Sequence, residues 1–270
     1  MPHPRGTATS SQAKMIFMDL TAPHSRRGHK QNSTATARTF PLAARGPAIN
    51  QVVSMKRFTF LAALSSLVLF ASAADEKTAD GWISLFDGKT LNGWKSNEEV
   101  PNVFTVQDGA LRVKGGRAHI FYAGDVKGAK FKNFEFKAKV MTKKNANSGI
   151  YFHTEFQAKD WPKKGYECQV NNSYDKDPRR TGSLYAVADF KETPFKDDTW
   201  MDYNIKVEGK RITITVDGKV TADYTEKEGD ARGDDNQKKG RWLSEGTFAF
   251  QAHDPGCEVF YKDIMVKPLD

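Results

Sequence analysis

Residues 134–141, FEFKAKVM, set Phe134, Phe136, Ala138 and Val140 in alternation with Glu135, Lys137 and Lys139. A period of two puts the apolar set on one face of an extended strand and the charges on the other; a helix would scatter both sets around its axis. The stretch MDYNIKVEG at 201–209 repeats the pattern with Tyr203, Ile205 and Val207. Apolar runs also flank Asp108-Gly109 and Asp217-Gly218, and such pairs suit the tight turns of antiparallel hairpins. No stretch of twelve or more residues carries a helical period. Short strands with turn signals at intervals predict an all-β fold, a sandwich or jelly roll of two antiparallel sheets.

The first 74 residues stand apart from this pattern. Met55 opens MKRFTFLAALSSLVLFASAAD, a short basic start, an apolar run from Phe58 to Phe70 and a small-residue exit at Ala71, Ser72 and Ala73. That is the form of a secretory signal peptide, its apolar run too short for an ordinary membrane span. The exit has no cysteine, so no lipid anchor is indicated. Residues 1–54, rich in Ser, Thr, Ala, Pro and Arg, then read as a mis-assigned start or a disordered leader, 55–73 as the signal peptide, and 74–270 as one domain exported to the periplasm or beyond. Of the 41 Lys and Arg, 9 fall in the first 74 residues, with 1 of the 33 Asp and Glu, leaving 32 of each behind. The balanced charge removes the electrostatic case for a nucleic-acid partner. The two cysteines, Cys168 and Cys257, do not have zinc-finger spacing, and either a disulfide or free thiols fit an oxidising compartment.

Three strand candidates carry polar residues on alternate positions. In GYECQV, Glu167 and Gln169 share one face while Tyr166, Cys168 and Val170 take the other. SGIYFHTEF sets Tyr151, His153 and Glu155 opposite Ile150 and Phe152. GTFAFQAHDPG sets Thr247, Ala249, Gln251 and His253 opposite Phe248, Phe250 and Ala252, with Asp254 following. Any half-exposed sheet alternates in this way. Amides, however, both give and accept hydrogen bonds as sugar hydroxyls do, which favours a carbohydrate floor. Asn147 opens its strand beside turn-forming residues, Arg179 and Arg180 precede a Gly turn, and the five tryptophans offer stacking surfaces as well as core. The polar stretch 226–242 reads as a solvated excursion, with a lid as the alternative. No phosphate loop, dinucleotide fingerprint, G-x-S-x-G elbow, H-E-x-x-H or paired C-x-x-C occurs. Gln169 stands where a two-carboxylate glycosidase of this type would carry its second acid.

At these residues the chain resembles the 3-keto-disaccharide hydrolase domain family. The matching segments are WISLFDGKTLNGW (82–94), NFEFKAKV leading to NSGIYFH (147–153), GYECQV (165–170), TGSLY (181–185) and GTFAFQAHDPGCEVFYKDIMV (246–266). The resemblance implies a concanavalin-like jelly roll and cleavage of glycosides already oxidised at carbon 3. A ketone there acidifies the carbon 2 hydrogen, so one base, one proton donor and one stabiliser of the enolate oxygen suffice. Glu167 and His253 are the expected acid–base pair. Gln169, Gln251, His153, Asn147 and Asp254 are expected to bind substrate, with Arg180 or Lys137 holding the enolate oxygen. No cofactor is required; a divalent ion on Glu167, His153, His253 and Asp254 is the alternative stabiliser. A sugar 3-oxidoreductase is the implied functional partner. A carbohydrate-binding module without catalysis is the rival expectation, and an adhesive envelope protein a third.

Overall fold

The computed structural model describes residues 77–97, 99–192, 194–228 and 241–269. The leader 1–54 and the signal segment 55–73 lie outside the described residues, as do 229–240 of the polar stretch. Among the described residues no helix is long and apolar enough to cross a membrane.

Among the described residues thirteen strands follow in chain order: β1 (Ile83–Ser84), β2 (Trp94–Ser96), β3 (Phe104–Gln107), β4 (Ala110–Lys114), β5 (Ala118–Tyr122), β6 (Phe134–Thr142), β7 (Ser148–Thr154), β8 (Tyr166–Val170), β9 (Met201–Glu208), β10 (Arg211–Val216), β11 (Lys219–Thr225), β12 (Thr247–Ala252) and β13 (Glu258–Pro268). One sheet runs β11-β10-β9-β6-β13-β4-β3, with β1 also on β13; the other runs β2-β5-β12-β7-β8. All pairings are antiparallel, as the all-β sandwich reading requires. Both Asp-Gly pairs close two-residue hairpins, with φ of 51° and 76° at Asp108 and Gly109 and 48° and 77° at Asp217 and Gly218. Two positive φ values give the turn whose twist matches that of the flanking strands.

The two sheets are buried differently. In β6, buried Phe134, Phe136, Ala138 and Val140 alternate with half-buried Glu135, Lys137 and Lys139, so the eight-stranded sheet has one core face and one solvated face. Every residue of β5, β7, β8 and β12 is buried. These four strands of the five-stranded sheet are therefore covered on both sides, by the core on one and by loops on the other, while Lys95 and Ser96 of edge strand β2 are exposed. Tyr166, Cys168 and Val170 enter the core, and both cysteines are buried free thiols. Phe250 is sandwiched between Trp94 and Tyr261, with ring centroids 5.0 Å and 4.2 Å away.

β7 departs from simple alternation. Thr247 pairs with Thr154 and Ala249 with Tyr151, so two residues of β7 oppose one of β12. The extra residue is a β-bulge, with His153 at φ 54°. The bulge turns His153 off the face it was expected to share with Tyr151. Its ring packs against Phe134 and Phe152, its Nδ1 accepts the Ser244 N–H at 3.2 Å, and Nε2 therefore donates to the Lys132 carbonyl at 2.9 Å. Both nitrogens serve backbone groups, which corrects the substrate-binding and metal-ligand expectations for this residue.

Burial pushes the His153 imidazole down to about 4. The unfolded chain, with an ordinary histidine near 6.5, takes up the proton first as pH falls. The stability from a neutral buried ring is thus present above about pH 6.5 and lost toward pH 4. Between pH 7 and 5 the wild type should lose about 2 kcal/mol more than H153Q, read from urea unfolding at each pH. In the core, F250A should lose about 3–5 kcal/mol of unfolding free energy by the same assay, since it empties the space between two flanking rings.

Candidate active site

The outer face of the five-stranded sheet is built in two rows by strand register. Ala249 pairs with Phe121 on β5 and Tyr151 on β7, and Tyr151 with Glu167 on β8, giving a row Phe121, Ala249, Tyr151, Glu167. The next row holds His119 opposite Gln251, and Gly149 opposite Gln169. A cavity of about 530 Å³ opens over the Glu167 end, lined there by Tyr151, Glu167, Gln169 and Gln251. Its walls come from loops: Asp160, Trp161, Pro162 and Lys163 on one side, with Asp177, Tyr185, Arg241 and His253 around the rest. That volume lies within the range of small-ligand sites.

Glu167 is 3% exposed at the floor. Tyr151 Oη donates to its Oε2 at 2.9 Å and Gln251 Nε2 to its Oε1 at 3.1 Å. Burial holds the carboxyl above its ordinary range, and Arg241, Tyr151, His253 and Gln251 offset that in part. Burial, aided by the Glu167 charge, raises the Tyr151 phenol well above its usual value, so it stays a donor. Gly149 makes the room: a Cβ there would overlap Oε1 of Glu167 and lie 2.9 Å from its Cγ. Gln169 Nε2 donates to Asn147 Oδ1 at 2.9 Å. Among the described residues, Gln169 Oε1, Gln251 Oε1 and Asn147 Nδ2 are buried without hydrogen-bond partners. Such groups gain from a ligand that supplies the missing hydroxyls.

His253 presents its ring to the cavity, with Nδ1 3.1 Å from Asp254 Oδ2. The carboxylate accepts, so Nδ1 carries a hydrogen, and in the neutral ring that leaves the lone pair on Nε2. Trp161, 38% exposed, lies over His253 with centroids 5.1 Å apart and caps His119 edge-on at 5.6 Å. Arg117 holds that loop through Asp160 at 3.4 Å and the Trp161 ring at 5.5 Å. His119 is wholly buried, with neither ring nitrogen partnered among the described residues, and burial pushes it down to about 3.

Arg241 closes the opposite wall. NH1 donates to the Tyr185 carbonyl at 2.6 Å, the guanidinium lies 4.8 Å from the centre of the Tyr185 ring, and NH2 is 3.9 Å from Glu167 Oε2. Asn171 secures the neighbouring loop: Nδ2 reaches the carbonyls of Tyr174, Asp177 and Arg179 at 2.9–3.1 Å, while Oδ1 accepts the Tyr174 N–H at 2.8 Å. A carboxylate at 171 would lack the donors for three carbonyls.

Of the residues expected at a site, Glu167, Gln169, Gln251 and His253 line one cavity. Asn147 sits behind Gln169, and Asp254 reaches the cavity only through His253. Arg180 bonds Asp175, the Tyr174 carbonyl and Asn171, and does not line it. Lys137 lies over Trp82 on the outer face of the other sheet, because β6 alternation turns it away from the core. No three His, Cys, Asp or Glu side chains among the described residues are placed to hold one metal ion. His119, Tyr185 and Arg241 were not expected. β5 has no polar alternation to mark His119, and Arg241 ends a stretch that reads as solvated.

Residues 81–267 match the 3-keto-alpha-glucoside-1,2-lyase-like domain family. A 3-keto-disaccharide hydrolase of Bacteroides thetaiotaomicron is 43% identical over 80 residues, 27% of this chain and 28% of that protein, so the match spans little more than a quarter of the relative. Two crystal structures from Parabacteroides distasonis ATCC 8503 that bear glycosyl hydrolase descriptions share the fold. One has a TM-score of 0.61 at 23% identity, over 73% of this chain and 98% of that one. The other has 0.54 at 19%, over 70% and 99%. With most of its length matched, and with the two-sheet architecture described above, this chain belongs to the 3-keto-alpha-glucoside-1,2-lyase-like domain family.

Proposed function

We propose that the protein cleaves the glycosidic bond of 3-keto-glycosides, including 3-keto disaccharides, by eliminating the group on carbon 1 and then adding water. The observation that carries this reading is the pair of titratable groups in one cavity. Glu167 has a carboxyl whose burial favours the protonated form, and His253 has an imidazole whose Nε2 lone pair is set by Asp254. His253 takes the proton from carbon 2, and the C–H electron pair moves toward the carbon 3 carbonyl. The resulting enolate collapses to expel the carbon 1 oxygen, which receives its proton from Glu167. Gln169 and Gln251 offer unfilled acceptors to sugar hydroxyls, and Trp161 a ring face at the rim. Asn147 and Asp254 are positioning residues in this scheme. The reading extends to export of the mature chain and to an oxidoreductase that supplies the ketone, with no organic cofactor and no nucleic-acid partner in the reaction.

The purified protein should cleave 3-keto disaccharides and leave their unoxidised parents intact. E167Q should lose about 100-fold or more in turnover, with unfolding free energy within about 1 kcal/mol of wild type. Saturable binding of the parent disaccharide with no cleavage of any keto form would favour a binding module instead. Activity should decline on the alkaline side as Glu167 gives up its proton, at a pH above that of an ordinary glutamate because burial raises it. G149A should lose at least 10-fold in turnover, because the added methyl displaces the carboxyl it crowds; wild-type kinetics in G149A would reject this placement of Glu167.

A further inference from the structure

We propose that Arg241 is the cation that stabilises the enolate oxygen on carbon 3, an assignment that rests on the keto-glycoside reading above. The argument begins with charge. Arg241 is 8% exposed, and among the described residues its nearest anionic partner is Glu167, with NH2 3.9 Å from Oε2. That separation is beyond hydrogen-bond reach. When Glu167 holds the proton it is to donate, the guanidinium faces an uncharged acid. Among the described residues no other anion then faces this buried cation, and it is available for negative charge that develops in the cavity.

Geometry supports the same role. Among the described residues one hydrogen bond is formed by the guanidinium, from NH1 to the Tyr185 carbonyl, which leaves NH2 with donors toward the cavity. The group is also held in place. Tyr185 lies under it at 4.8 Å, and Arg179 sits 4.4 Å from the centre of the same ring. A donor fixed before the reaction needs no reorganisation as charge appears. Lys163, the other cation lining the cavity, is exposed, so water screens it.

The step balances without another reactant. His253 Nε2 gains the carbon 2 proton, the C–H pair becomes the carbon 2–carbon 3 double bond, and the carbonyl π pair moves onto oxygen, where Arg241 receives it. Collapse restores the carbonyl, forms the carbon 1–carbon 2 double bond and breaks the bond from carbon 1 to the leaving oxygen.

Leaving-group ability separates this role from that of Glu167. Two substrates serve, a 3-keto disaccharide and a 3-keto glucoside with a nitrophenyl aglycone, which departs without a general acid. R241Q should lose about 100- to 1,000-fold in kcat on both, with KM within about threefold, and should exchange the carbon 2 hydrogen with solvent deuterium correspondingly more slowly. E167Q should lose activity on the disaccharide and keep most of it on the nitrophenyl substrate. R241K keeps the charge beside Glu167 without the planar fork; it should lose at least 10-fold on both substrates and serves as the test if R241Q melts below assay temperature. Wild-type turnover of the nitrophenyl substrate by either Arg241 variant, or a loss confined to the disaccharide, would overturn the assignment while leaving the cleavage reading intact. A wild-type protein that neither cleaves nor exchanges either substrate would overturn both.

Discussion

The burial of one carboxyl on the outer face of a sheet is the constraint around which the rest is arranged. An isolated acid in such a place is unfavourable unless neutral or hydrogen-bonded. Glu167 draws on both routes: burial favours its proton, while the Tyr151 hydroxyl and the Gln251 amide satisfy its two oxygens. Both donors come from strands next to each other in the sheet, so the same ladder that pairs β12, β7 and β8 also fixes the distances around the acid. Gly149 completes the arrangement by withholding a side chain at the position the carboxyl occupies.

That burial depends on loops, and each is secured by its own chemistry. Arg117 binds the loop that carries Asp160 and Trp161 through an ion pair and a ring contact. Asn171 holds the loop that carries Asp177 by bonding three carbonyls at once. Arg241 is fixed through Tyr185, whose carbonyl it bonds and whose ring meets the guanidinium groups of both Arg241 and Arg179. The walls are therefore ordered by polar contacts to backbone and rings, while the floor is ordered by strand register. Residues held in this way are positioned before any ligand enters, the condition for a site that stabilises charge by arrangement in advance.

The contrast between the sheets explains what was legible in the sequence. β6 and β9 alternate because one face meets water, so FEFKAKVM and MDYNIKVEG announce their strands and core residues. In β5, β7, β8 and β12 both faces are buried, so core and site are separated by the alternation of residue types and not by exposure. Glu167, Gln169 and Gln251 are legible because they alternate with apolar residues and because amides pair with sugar hydroxyls as both donors and acceptors. His119 is not, since it lies among Ala118, Ile120, Phe121 and Tyr122 with nothing to mark its side. His153 was placed on the wrong face because a single bulge inverts the alternation after Tyr151, and bulges leave no period to read. Lys137 and Arg180, the cations expected at the enolate oxygen, lie elsewhere: Lys137 on the solvated face of the other sheet and Arg180 in its own loop. Arg241 carries its role through tertiary position, which composition does not encode.

Under the proposed reaction the site keeps a constant net charge at every step, which follows from the residues that exchange protons. The carbon 2 proton passes to His253 as negative charge reaches the carbon 3 oxygen, and Arg241 faces that oxygen. When the enolate collapses, the charge leaves the sugar and Glu167 becomes a carboxylate by giving its proton to the departing oxygen. Arg241 then faces the carboxylate 3.9 Å away, so one cation serves two successive anions without moving far. Water addition runs the sequence backward: Glu167 takes a proton from the water that attacks carbon 1, and His253 returns a proton to carbon 2. Both groups end in the states from which they began. A site with two opposed carboxylates would carry an extra buried negative charge beside the enolate, raising the energy of the intermediate it has to form. An amide at Gln169 supplies hydrogen bonds without that charge, which gives a chemical reason for an amide where a conventional double-displacement glycosidase needs an acid.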